Sequence, residues 1–499
     1  MKAFTKTLSL ALAAIMLICM FVSCGGSTTD GKETTAAPDT TATPGGSQTV
    51  EPTKIEPNLP DETFGGYEYR IRCLGSNTST WVTLGVYAED RNGDPINDQT
   101  LARNNYLEDK YDIKISAVEG SGVAGSVTQM VLNQTDDFDL ALYTVDMIGT
   151  LAPKYVYDLK QLEYIDLEKP WYDQNFNKEV SIGGRLYATT GDLPINDDNG
   201  TWCILFNKRL AVDTNMPNMY SLAASGEWTL DKLYELAKTV THDITGEGTI
   251  DDQDMWGFQT ESYNAYAIIA SAGERIASKD ADDMPYLTAN SERFQSALEK
   301  AVQVCGDKSV TYLETDYKDK YGDVWRESYI PTFTSGRVLF KMVGIMGLTV
   351  GRDMEDELGI LPMPKFEEIQ EVTLSPITVT NATCVSIPIS VPNIRTTSII
   401  TEAIFAESRY TTRIGYYETT LKRKYAEDEE SKLILDQIIE NRTYDLGAIY
   451  GWGGIVSKLQ TQLSTRSTNF ASTWRSLERV AQSQMNKTIK EFQNAENVQ

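Results

Sequence analysis

Residues 243–254 read DITGEGTIDDQD, and their oxygen-bearing side chains fall at the spacing of a twelve-residue calcium loop. Asp243 stands at position 1, Thr245 at 3, Glu247 at 5, Gly248 at the turn position, Thr249 at 7, Asp251 at 9 and Asp254 at 12. Ca2+ takes roughly six to eight oxygens from carboxylates, carbonyls and water, so the pattern points to a structural calcium site. The alternative is an acidic turn that holds no ion. Other reactive groups are sparse. His242 is the only histidine, and GxSxG, HExxH and GxxxxGK[ST] are all absent. His-dependent hydrolases, zinc proteases and P-loop enzymes therefore find no support. A glycosidase needs only two carboxylates, and 71 acidic residues leave that class open.

The elements that must position these groups follow from hydrophobic period. YEYRIRCLG (67–75) alternates as a strand, and 99–118 reads as a helix followed by a second strand. Residues 125–134 form a helical pattern and FDLALYT (138–144) a third strand, so the opening is a parallel α/β layer. CILFNKRL (203–210) starts a second unit as a buried strand. In GEWTLDKLYELAKTV (226–240), Thr229 is a good N-cap, with Trp228 and Leu233 placed as a hydrophobic staple. Strand patterns recur at 337–346 and 382–390, and helical patterns at 291–304, 396–409, 428–442 and 455–493.

The termini and totals suggest where the protein works. Lys2 and Lys6 precede a short apolar run, Leu8 to Val22, which reads as a signal peptide over 1–23 rather than a permanent span. The alternative is an uncleaved anchor. Residues 25–62 carry few large apolar side chains and cannot repay the entropy of ordering. As a coil they would reach about 35 Å, a tether. The net charge of −26 argues against nucleic acid as a partner. Cys73, Cys203, Cys305 and Cys384 lie far apart without a CxxC pair, which suits buried thiols better than a disulfide framework.

Several segments together resemble bacterial extracellular solute-binding lipoproteins of carbohydrate ABC importers, in a clostridial-type branch. They are 162–193, CILFNKRL with SGEWTLDKLYELAK, PTFTSGRVLFKMVG (331–344), GILPMPKF (359–366) and the helical block 403–447. FVSCGG (21–26) likewise resembles a lipoprotein box with Cys24 as the lipidated residue. The resemblance implies a type II periplasmic-binding-protein-like α/β fold, with two discontinuous lobes joined by a hinge. Lobe one would comprise 63–195 and 380–444, and lobe two 196–379 and 445–499, after a lipidated Cys24 and linker over 24–62. It also implies a monomer on the outer face of the cytoplasmic membrane, delivering a small solute to ABC permease subunits. A surface sensor or adhesin ectodomain is the other non-enzymatic reading.

A sugar presents flat C–H faces and a rim of hydroxyls, so its site needs aromatic planes and fixed acceptors. Tyr143 and Asp146 end a predicted strand, where α/β sheets place ligands. The maltodextrin-binding type carries an aromatic residue and an Asp at this strand end. Asp197, Asp198 and Trp202 lie at the expected first crossing, Tyr263 and Asn264 follow a strand of lobe two, and Trp452 sits between glycines at a third crossing. Trp81 is a further stacking candidate. For each, core packing or a solvated loop is the alternative.

Overall fold

The computed structural model describes residues 54–75, 83–425 and 428–495; Cys24, Trp81, the leader and most of the linker lie outside them. Strands β1 (Tyr67–Cys73), β2 (Ile113–Glu119) and β3 (Leu140–Thr144) alternate with helices α1 (Pro95–Tyr111) and α2 (Val123–Asn133). Asp94 caps α1 through the N–H groups of Ile96 and Asn97, and Pro95 supplies a preset first turn. β1 runs parallel to both neighbours, with Tyr67 opposite Ile113 and Cys73 opposite Glu119. Tyr69 and Ile71 are fully buried, as the alternation requires.

The second sheet contains β4 (Trp202–Asn207), β5 (Trp256–Thr260), β6 (Thr311–Leu313), β7 (Val338–Gly344) and β8 (Leu358–Leu361). Its spatial order is β8–β4–β7–β5–β6. β5, β6 and β7 are mutually parallel, whereas β4 runs antiparallel to β7 with Trp202 opposite Gly344. Helix α3 (Leu230–Lys238) starts where its caps predict: the Thr229 hydroxyl accepts from the Lys232 N–H. Trp228 is buried and its indole N–H donates to the Pro362 carbonyl. The chain then returns to the first sheet as β9 (Thr383–Ser386), antiparallel to β3 with Thr383 opposite Thr144.

Segments 195–201 and 376–382 run side by side between the sheets. Thr378 N–H donates to the Gly200 carbonyl, and Thr201 bridges Ile377. Asp146 N–H donates to Val379, and Ile345 N–H to Thr201, so each sheet's strand ends are tied to the crossing. Behind them pack α4 (Glu292–Cys305), α5 (Ile394–Arg409), α6 (Ile455–Ser464) and the long α7 (Phe470–Asn494). Cys73, Cys203, Cys305 and Cys384 are buried free thiols. Among the described residues no helix is long and apolar enough to cross a membrane.

Candidate functional site

Two cavities open at the strand ends that flank the crossing. The first, of about 320 Å3, lies beyond β1 and β3 and is lined by Leu74, the start of α2, Leu142, Tyr143, Thr144, Met147 and Thr383. The second, of about 370 Å3, lies beyond β5 and β7. Trp202, Tyr263 and Trp325 give it aromatic faces, Glu261 and Asp323 carboxylates, and Arg326 a guanidinium, while Thr378 and Asn381 come from the crossing. Ligands of open α/β sheets lie at the carboxyl ends of strands, and these cavities hold that position.

The second cavity has the chemistry a sugar needs. Trp202 and Tyr263 stand with ring centroids 6.4 Å apart, and Trp325 remains 38 % exposed. The Tyr263 hydroxyl lies 3.2 Å from the hydroxyls of both Thr378 and Thr380. Beneath the floor, Lys341 is buried, donates to the Gln259 amide oxygen at 2.5 Å and stands 3.5 Å over the Tyr329 ring. Burial pushes the Glu261 carboxyl up and the Lys341 ammonium down, each opposed by the other's charge.

The residues expected from the sequence fall into three groups. Trp202 and Tyr263 line the second cavity, and Tyr143 lines the first, although its hydroxyl is spent on Ser386 Oγ at 2.6 Å. Asp146 lines neither cavity; its carboxylate accepts from the Thr144 hydroxyl. Asn264 lines neither cavity; it is fully buried, and its amide nitrogen donates to Thr260.

Asp197, Asp198 and Trp452 likewise line neither cavity. Arg442 donates to Asp197 at 3.0 Å and Asp198 at 2.8 Å, and pairs with Asp173 at 2.8 Å. Arg413 and Arg409 hold Asp192, and the Tyr416 hydroxyl donates to Asn199. These acids form a buried ion cluster at the crossing. Trp452 is buried, stacks on Tyr450 with centroids 5.4 Å apart, and donates to Thr488 on α7. Helix α7 covers the ring, so it is core. Glu261, Trp325, Thr378 and Thr383 were missed. Only Glu261, directly after a strand, carried a local signal.

In the 243–254 loop, oxygens of Glu247, Asp251 and Asp254 lie within 4.8 Å of one another. The Asp243 carboxylate instead accepts from the N–H groups of Gly246 and Gly248 at 2.6 Å, and Thr245 donates to it. The Thr249 hydroxyl donates to Glu247. The Lys320 ammonium stands 3.6 Å from Asp251 and partly neutralises that end. The loop shares no residue with either cavity.

No protein-family model and no curated protein matches the chain. Solved structures do. A cyclo/maltodextrin-binding protein complexed with maltotetraose is similar with a TM-score of 0.55 and 13 % identity, over 89 % of this chain and 98 % of that one. The ABC substrate-binding protein Lmo0181 from Listeria monocytogenes, in complex with cycloalternan, gives 0.52 and 12 % over 85 % and 98 %. UgpB from Mycobacterium tuberculosis, in complex with glycerophosphocholine, gives 0.54 and 13 % over 85 % and 100 %. At such identities the likeness bears on architecture: the chain has the two-lobed, type II periplasmic-binding-protein-like α/β fold.

Proposed function

We propose that this protein is a non-enzymatic solute-binding protein that captures an oligosaccharide and delivers it to an ABC permease. The observation that carries the reading is the second cavity. Three aromatic side chains and two carboxylates converge there at strand ends beside the crossing. The folds it resembles include binders of maltotetraose and cycloalternan, which agrees with a sugar. Lipid attachment through Cys24, a linker over 25–62 and a place on the outer membrane face complete the reading, and they rest on the sequence. So do the lobe assignments on either side of residues 195, 380 and 445. Closure of the lobes would follow from a ligand that touches both.

The test is a thermal-shift and calorimetric screen of the protein against neutral glycans, with chromatography of the recovered ligand. Binding with the glycan returned intact supports the reading. Released product would make it a glycosidase, and retention only on an insoluble polymer would make it an adhesin. Separately, the 243–254 loop is proposed as a structural calcium site. Calcium should raise the melting temperature, and Asp251→Asn should abolish the rise; a chelator-insensitive melt would remove the ion.

A further inference from the structure

The first cavity has a polarity that the sugar reading does not use. Helix α2 begins at its wall, and Gly122, at φ +66°, is the N-cap and brings no side-chain acceptor. The N–H groups of Val123, Ala124 and Gly125 belong to the first turn, where no intrahelical acceptor exists. No described carbonyl accepts from them. All three residues line the cavity. The positive end of the helix dipole is therefore open to whatever enters.

Two further observations point the same way. Thr383, only 3 % exposed, lines the cavity from β9, and its hydroxyl has no hydrogen-bond partner among the described residues. A buried hydroxyl without a partner is unfavourable, and a ligand oxygen would satisfy it. Behind the turn that leads into α2, the Arg72 guanidinium donates to the carbonyls of Cys73, Val118, Gly120 and Ser121, and no carboxylate pairs with it among the described residues. Asp146 and Glu119, the acids nearest along the chain, are not lining residues, and no lining residue is acidic. The Asp146 carboxylate is taken up by the Thr144 hydroxyl, and that of Glu119 lies beside Gly75 at the cavity's edge.

We propose that the first cavity is an anion subsite, in which the amide groups opening α2 and the Thr383 hydroxyl bind a carboxylate or phosphate on the sugar ligand. The captured solute is thus an acidic saccharide, with its charged end at α2 and its neutral rings toward the aromatic cavity. Leu142 and Met147 shield the contact and strengthen it by excluding water. This inference rests on the solute-capture reading above and narrows its ligand class.

The experiment compares matched neutral, uronate-terminated and phosphate-terminated oligosaccharides by calorimetry on the full chain, with Gly125→Asp and Thr383→Val variants. A Cβ at Gly125 would meet nothing within 4 Å, so the new carboxylate enters without a clash. Acidic ligands should bind at least about tenfold more tightly than their neutral counterparts, as expected for hydrogen bonds to a charged group. Gly125→Asp should erase that preference, and Thr383→Val should reduce it several-fold. The uronate and phosphate arms decide which anion fits. Equal affinity for neutral and acidic ligands, or a preference that survives Gly125→Asp, overturns the anion subsite and leaves sugar capture standing. Failure of every saccharide to bind overturns both.

Discussion

Trp325 shows why single residues of the second cavity differ in what they can be asked to do. Trp202 and Tyr263 are held by the sheet and the crossing, whereas Trp325 is more than a third exposed and reaches the cavity from the first residue of a short π-helical turn, Trp325–Tyr329. Its ring contacts Tyr329 at 5.0 Å between centroids, in a tilted arrangement. Trp325→Ala should therefore weaken glycan binding by about 1 kcal/mol or more, the worth of an aromatic contact, with little change in melting temperature. Calorimetry reads the first effect and a thermal melt the second. An unchanged affinity would place the sugar elsewhere. Trp202→Ala is a poorer test, because the residue is 93 % buried in β4 and its loss would disturb the sheet.

At the scale of elements, α7 decides the role of Trp452. The helix spans 25 residues and lays Trp474, Ala481, Met485 and Phe492 against the body. Gln484 accepts the Gly453 N–H, Thr488 accepts the Trp452 indole, and Phe492 meets Tyr187 and Tyr450 edge-on. Trp452 is the plug between this helix and the turn before α6. Trp452→Ala should cost about 3–5 kcal/mol of stability through the cavity it leaves. Affinity per folded molecule should hold, as checked by denaturant unfolding and by titration below the melting range. The glycines around Trp452, which suggested ligand access, serve the turn instead: Gly451, Gly453 and Gly454 all have positive φ. Local signals succeeded wherever the partner was a few residues away. Thr229 capped its own helix, and the alternation of 67–73 gave a strand with the expected inner face.

Across the whole molecule, the crossing is held by four aspartates and three arginines: Asp173, Asp192, Asp197, Asp198, Arg409, Arg413 and Arg442. One carboxylate exceeds the guanidinium count, and a buried site resists net charge. Burial, opposed by Arg442 and reinforced by Asp198, pushes the Asp197 carboxyl upward. Because its folded value lies above the unfolded value of about 3.9, its contribution to stability is complete below that pH and is lost as pH rises through the folded value. Asp197→Asn should flatten this part of the stability profile in denaturant melts at successive pH values; parallel profiles would assign the effect to other groups. The sequence by itself determined the strand and helix order, the caps, the absence of nucleophilic and zinc motifs, and the acidic surface, because each depends on neighbours in the chain. Tertiary structure decided which polar and aromatic residues face the cavities. Asp197 meets Arg442 across 245 residues, Trp452 meets Thr488 across 36, and Thr383 joins the start of α2 only when the chain returns to the first sheet as β9. Whether a carboxylate or a ring is free for a ligand is a question of what already occupies it, and composition and period do not record that.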